Sequence, residues 1–109
     1  FSTHLLSHWV RERRAFPLEE AVRMLTGAPA RLYGIAGRGE LRPGYAADVA
    51  IFDPQTVGLR RTELVADLPG GAARLVQQAV GVDWVIVNGE VLVDHGDLGG
   101  SRAGQVLRG

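Results

Sequence analysis

The sequence predicts an α+β chain in which short helices come first and a β-rich segment closes on a hairpin. Apolar residues recur at helical spacing from Leu5 to Leu25. After Gly34 that period is lost, and Gly37, Gly39, Pro43 and Gly44 punctuate the chain. Asn88-Gly89 then separates two apolar runs, which is the strongest short-range hairpin signal.

Residues 3–14 read as an amphipathic helix. Leu5 with Trp9 and Leu6 with Val10 form i, i+4 pairs on one face, and His4, Ser7, His8, Arg11 and Glu12 fill the other. Ser2 or Thr3 can cap its start. The helix is expected to stop near Arg14, ahead of Phe16-Pro17. Pro17 suits the first position of a second helix, where its missing N–H costs nothing. Glu19 and Glu20 then meet the positive end of the helix dipole, and Leu18, Ala21, Val22 and Leu25 form a buried stripe. Gly27 is expected to end this helix. Pro29 opens a third, short one through Tyr33, and Gly34 closes it.

Pro43-Gly44 has the form of a type II turn. Ala47 to Phe52 reads as a strand with both faces buried, ended by Asp53-Pro54. Residues 55–71 carry little pattern beyond the turn at Leu68-Pro69-Gly70-Gly71. Ala72 to Val80 stands open between helix and strand, and Gly81 ends it either way. Trp84–Val87 and Glu90–Val93 pair around Asn88-Gly89, which supplies the two positive φ angles of a type I′ turn. Gln105-Val106-Leu107-Arg108 reads as a last short strand.

Composition excludes several functions. The chain has 109 residues, enough for one domain. Its 12 basic residues, all Arg, balance 12 acidic ones, which argues against nucleic-acid binding. The absence of Cys removes disulfides and thiolate zinc sites, and the absence of Lys removes Schiff-base chemistry. No apolar run approaches the roughly 20 residues of a membrane helix, and Phe1 to Arg14 does not resemble a signal peptide. The chain begins at Phe1 and its only Met is Met24, so it is expected to be a piece of a longer protein.

Candidate chemistry is sparse. His4, His8 and Glu12 are zinc-type ligands spaced i, i+4, i+8 on one helix face. They spread over about 12 Å of axis, and Leu5 stands where the metalloprotease pattern needs Glu. A solvated or partner-facing polar row is the simpler reading. A small metal-binding protein using His4, His8 and His95 is a further possibility. Arg11-Glu12-Arg13-Arg14 complements a helix C-terminus. Gly37-Arg38-Gly39 and Leu68-Pro69-Gly70-Gly71 match neither a P-loop nor a dinucleotide turn. His95 with Asp94 or Asp97 can be drawn as a base and its orienter, but no nucleophile elbow accompanies them. Asp48, opening an apolar strand, needs a partner, for which Arg42 or a backbone N–H is available.

Three segments together resemble the C-terminal end of the amidohydrolase superfamily. Pro29-Ala30-Arg31-Leu32-Tyr33-Gly34-Ile35 is similar to the end of its last long helical region. Gly39-Glu40-Leu41-Arg42-Pro43-Gly44-Tyr45-Ala46-Ala47-Asp48 resembles its G-x-L-x-P-G-x-x-A-D strand entry, and Val85-Ile86-Val87-Asn88-Gly89 its V-x-V-N-G hairpin. Leu6-Ser7-His8-Trp9-Val10-Arg11-Glu12, Leu18-Glu19-Glu20-Ala21-Val22 and Asp67-Leu68-Pro69-Gly70-Gly71 are most like N-acyl-D-amino-acid deacylases. Arg102-Ala103-Gly104 departs from the Pro-Gly common in relatives.

The resemblance implies a parent enzyme with a metal-dependent (β/α)₈ barrel and a β-sandwich built from both chain ends. Residues 1–38 would be final helices packed on that barrel, and residues 39–109 the C-terminal part of the sandwich. The implied ligands, a His-x-His, further His and a late Asp, match no position here. No catalytic, cofactor-binding or metal residue is therefore carried over. Zinc is expected in the parent and no cofactor in this segment, which by itself is expected to be inactive. The implied partners are the N-terminal remainder of the enzyme and a small N-acyl amino acid; no nucleic acid and no membrane are expected, and the location is expected to be cytoplasmic. Leu5, Leu6, Trp9, Leu18, Val22 and Leu25 would pack on the absent barrel, so the isolated segment is expected to self-associate. Alternative readings are a freestanding non-catalytic interaction module and a hydantoinase-, dihydropyrimidinase-like or other cyclic-amide parent.

Overall fold

In the computed structural model of the chain, residues 1–107 are described; Arg108, the end of the expected last strand, and Gly109 lie outside the described residues. The first helix starts as α1, Ser2–His4, and continues as a π-helical run, Leu5–Glu12. Its bonds reach five residues back, as from the Arg13 N–H to the His8 carbonyl at 2.8 Å. The wider turn redistributes the faces expected of an α-helix. Leu5, Leu6 and Ser7 are buried, while Trp9 is 44% exposed rather than paired beneath Leu5. Ser7 and Arg11, expected on the solvent side, point inward: Arg11 Nη1 donates to the Val57 carbonyl at 2.6 Å. Arg14, at φ +51°, ends the run in the left-handed region.

Helix α2, Leu18–Leu25, follows Pro17, which sits just outside it in extended conformation rather than at its first position. Gly27 does not end the helix; it opens α3, Gly27–Leu32, and Thr26 is the junction. The expected stripe holds, with Ala21 fully buried and Leu18, Val22 and Leu25 packed beside it. Leu5, Leu6, Ala21 and Val57 form the core, flanked by Val10, Phe16, Phe52 and Val82. Leu5 and Leu6 thus find cover inside this chain.

The main sheet is antiparallel, with order β1-β6-β7-β8: β1 Val49–Phe52, β6 Val82–Val87, β7 Glu90–Asp94 and β8 Asp97–Leu98. Strand β1 is an edge strand, so Ala50 and Ile51 stay exposed and the expectation of two buried faces fails. Asn88 at φ +48° and Gly89 at φ +83° make the expected hairpin turn. His95 at φ +47° and Gly96 at φ +88° repeat that geometry and create β8, which the sequence did not disclose. Gln105 to Leu107 are not a strand.

Residues 57–81 fold out as a ribbon. Strand β2, Gly58–Leu59, pairs with β5, Ala79–Val80, and β3, Glu63–Val65, pairs with β4, Arg74–Val76. The ambiguity over Ala72 to Val80 resolves to strands, because long-range pairing decides what local pattern leaves open. At the base, the Asp53 carbonyl accepts N–H bonds from Thr56 at 3.1 Å and Val57 at 2.8 Å. Gly81 crosses beneath that turn at φ +72°, where an added Cβ would lie 2.4 Å from the Val57 nitrogen.

A polar knot joins the distant parts. Asp48 Oδ1 accepts the Asn88 backbone N–H at 2.9 Å, and Oδ2 pairs with Arg38 Nη1. Arg38 Nη2 donates to Asn88 Oδ1 at 2.6 Å, and Asn88 Nδ2 donates to the Ala103 carbonyl at 2.5 Å. The expected backbone partner of Asp48 is present, but its cation is Arg38, not Arg42. Arg42 instead pairs with Glu40 at 3.2 Å and stands 5.5 Å over the Tyr45 ring. The turn Arg42-Pro43-Gly44-Tyr45, closed by a 3.0 Å bond, turns Arg42 away from the strand.

Two stability tests follow from this geometry. Gly81→Ala adds backbone overlap to a left-handed strain and should cost about 2–4 kcal/mol, whereas Gly89→Ala, at open space, should cost about 1 kcal/mol; urea unfolding compares them. The Asn88 N–H and then the Arg38 guanidinium hold the Asp48 carboxyl below its ordinary 3.8, against an opposing push from burial. A depressed native pKa gives stability that is complete above the unfolded value and lost as pH falls through the native one. With the side chain 32% exposed, Asp48→Asn should cost about 1–2 kcal/mol at pH 7, and that gap should shrink once pH drops below 3.8.

Candidate functional site

The π-helical run sets the His row along the exposed side of the first helix. The His4 and His8 rings stack at 5.0 Å with 9° between planes. His8 Nδ1 lies 2.9 Å from Glu12 Oε2, and the Trp9 ring stands edge-on to His8 at 5.2 Å. The row is thus brought together, but as a stack ending in a hydrogen bond. Among the described residues, no group of three or more His, Asp or Glu side chains is placed to hold a metal ion. No chemical step is therefore derived through a metal held by this chain.

At the second positive-φ turn, His95 Nδ1 lies 2.6 Å from Asp94 Oδ1, and its ring meets the Trp84 ring edge-on at 4.4 Å. Asp94, not Asp97, is the neighbour the His selects. Both side chains are about two-thirds exposed. A base so open to water lacks the dry, enclosed surroundings that tune acid–base catalysis.

A cleft of about 650 Å³ lies between the helices and β1. Leu6, Val22, Leu25, Val49, Phe52 and Val82 form much of its wall. Among its lining carboxylates, Glu40 is paired with Arg31 at 2.6 Å and Asp48 with Arg38. It can bury apolar surface. Sequence reasoning missed Arg38 and treated Asn88 only as a turn former. Arg38 stands between Gly37 and Gly39, whose positive φ angles mark a backbone bent to aim it.

A model of the amidohydrolase family matches residues 2–93. The D-aminoacylase of Alcaligenes xylosoxydans xylosoxydans is 38% identical over 103 residues, which is 94% of this chain and 19% of that protein. A D-aminoacylase crystal structure superposes with a TM-score of 0.77 at 34% identity, covering 96% of this chain and 20% of that one. An N-acyl-D-glutamate deacylase from Bordetella bronchiseptica, solved with zinc and a phosphonate inhibitor, gives 0.64 at 39% identity, covering 83% and 17%. The chain therefore spans about a fifth of the length of the relatives it resembles. Its helices and antiparallel strands superpose on one part of those longer chains, and the chain belongs to the amidohydrolase family.

Proposed function

We propose that this chain is the C-terminal segment of a metal-dependent amidohydrolase that removes the acyl group from an N-acyl-D-amino acid. The observation that carries the reading is similarity to deacylases across nearly the whole chain, ribbon included. In this reading residues 1–38 pack on a catalytic (β/α)₈ barrel and residues 39–109 complete a β-sandwich beside it. Metal ligands, zinc being the metal proposed, and the substrate pocket belong to the rest of the protein. The segment's own part is structural: its helices and main sheet wall an apolar cleft, and its polar knot fixes how they meet.

The coding frame upstream of Phe1 is the first test. A barrel-length region bearing a His-x-His and a late Asp is expected. The protein so encoded should hydrolyse N-acetyl-D-amino acids at least tenfold faster than their L-enantiomers, and a chelator should abolish the activity. The 109-residue chain assayed by itself should show no turnover. A start codon directly before Phe1 would defeat the reading, and turnover confined to cyclic amides would move the parent to the hydantoinase-like class.

A further inference from the structure

The ribbon of β3 and β4 has an apolar face that stays uncovered among the described residues. Leu64 and Leu75 are directly opposed across the two strands, so their side chains share one side. Each is 72% exposed, and Leu68 at the tip is 41% exposed. Such a pair in water gains little, and an isolated two-stranded ribbon is marginal without a surface to lie on.

The ribbon is nonetheless held in one shape. Arg74 grips Asp67 with two N–H bonds, at 2.8 and 2.7 Å, across the tip. Gly70 and Gly71, both at positive φ, close the turn, and the Leu68 N–H donates to the Ala72 carbonyl at 3.2 Å. Toward the base, the Arg60 N–H donates to the Gln78 carbonyl at 2.8 Å, and Gln77 Nε2 donates to the Arg60 carbonyl at 3.2 Å. The molecule is correspondingly elongated. Its longest extent is 45 Å against a shortest of 26 Å, and its radius of gyration is 15.8 Å where about 13 Å is usual at this length. A preset apolar arm is what docking favours, because little order remains to be imposed on binding.

The size of the face selects its occupant. Three partly exposed leucines offer on the order of 300 Å², against roughly 800 Å² per partner in a stable interface between separate molecules. A surface this small suffices only where docking is intramolecular, since a covalent link supplies a high effective concentration. The relatives supply that link: about four-fifths of the D-aminoacylase chain lies outside the stretch matched here. We infer that the β3–β4 ribbon is a docking arm, its Leu64–Leu75 face seated on an apolar surface of the same, longer polypeptide. The inference rests on the reading of this chain as one part of a larger amidohydrolase.

The test is thiol protection in the protein encoded by the full reading frame, stripped of any cysteines of its own. Leu64→Cys and Leu75→Cys should react with a maleimide at least tenfold more slowly than Glu63→Cys, whose side chain faces the other way. That ratio should hold over a hundredfold dilution. Equal rates would overturn the inference. Protection that disappears on dilution would also overturn it, by assigning the face to a second copy. Amide exchange in the unsubstituted protein is the check free of variants: amides over residues 63–76 should exchange over minutes or longer, and exchange at the rate of an open peptide would overturn the docking. If the frame does not extend upstream of Phe1, the deacylase reading fails. If it does extend and position 64 reacts freely, the docking inference alone fails.

Discussion

The carboxylate of Asp48 is the constraint on which the arrangement of this chain depends. It opens a strand beside apolar neighbours, where an ionised group must be paired or neutralised. Both of its oxygens are engaged, one by the Asn88 backbone N–H and one by Arg38. Asn88 then spends its own amide on Arg38 and on the Ala103 carbonyl. Four stretches far apart in sequence are pinned by one network: the loop after the helices, the first strand, the hairpin turn and the C-terminal tail. Among the described residues the apolar core is small by comparison, with five hydrophobic residues buried, so directional bonds carry much of the task of fixing the loop, the hairpin and residue 103 against the first strand.

Two of the motifs behind the family resemblance meet in this knot. Asp48 closes the G-x-L-x-P-G-x-x-A-D segment and Asn88 belongs to V-x-V-N-G; in three dimensions they are hydrogen-bonded partners. That part of the pattern legible in sequence is thus the trace of a single contact. That is why the family could be read from a segment whose candidate site residues do not converge on a reacting atom.

What could be read in advance follows the range of the forces involved. The hairpin around Asn88-Gly89 and the turn at Pro43-Gly44 are decided within a few residues, and both were legible. The need of Asp48 for a partner was legible from its surroundings, but the choice of Arg38 over Arg42 is made by how the intervening loop turns. The π-helical run escaped detection because Leu5, Leu6, Trp9 and Val10 fit an α-helical stripe equally well. Strand β8 escaped because His95-Gly96 is a less familiar holder of two positive φ angles than Asn88-Gly89. The ribbon strands escaped because each is only two or three residues long and is specified by its partner.

The reach of the knot also has a bearing on the order of biosynthesis. Its bonds join residues 10, 40, 50 and 15 positions apart in sequence. The hairpin can form as soon as its two strands leave the ribosome, but Asn88 cannot satisfy its amide until Ala103 has followed. Until then a half-paired carboxylate and a loose helical segment are exposed to whatever lies nearby. The nascent chain therefore passes through a vulnerable interval that lasts until Ala103 has emerged, and a chaperone acting on it would meet the helices and the hairpin before the network is closed.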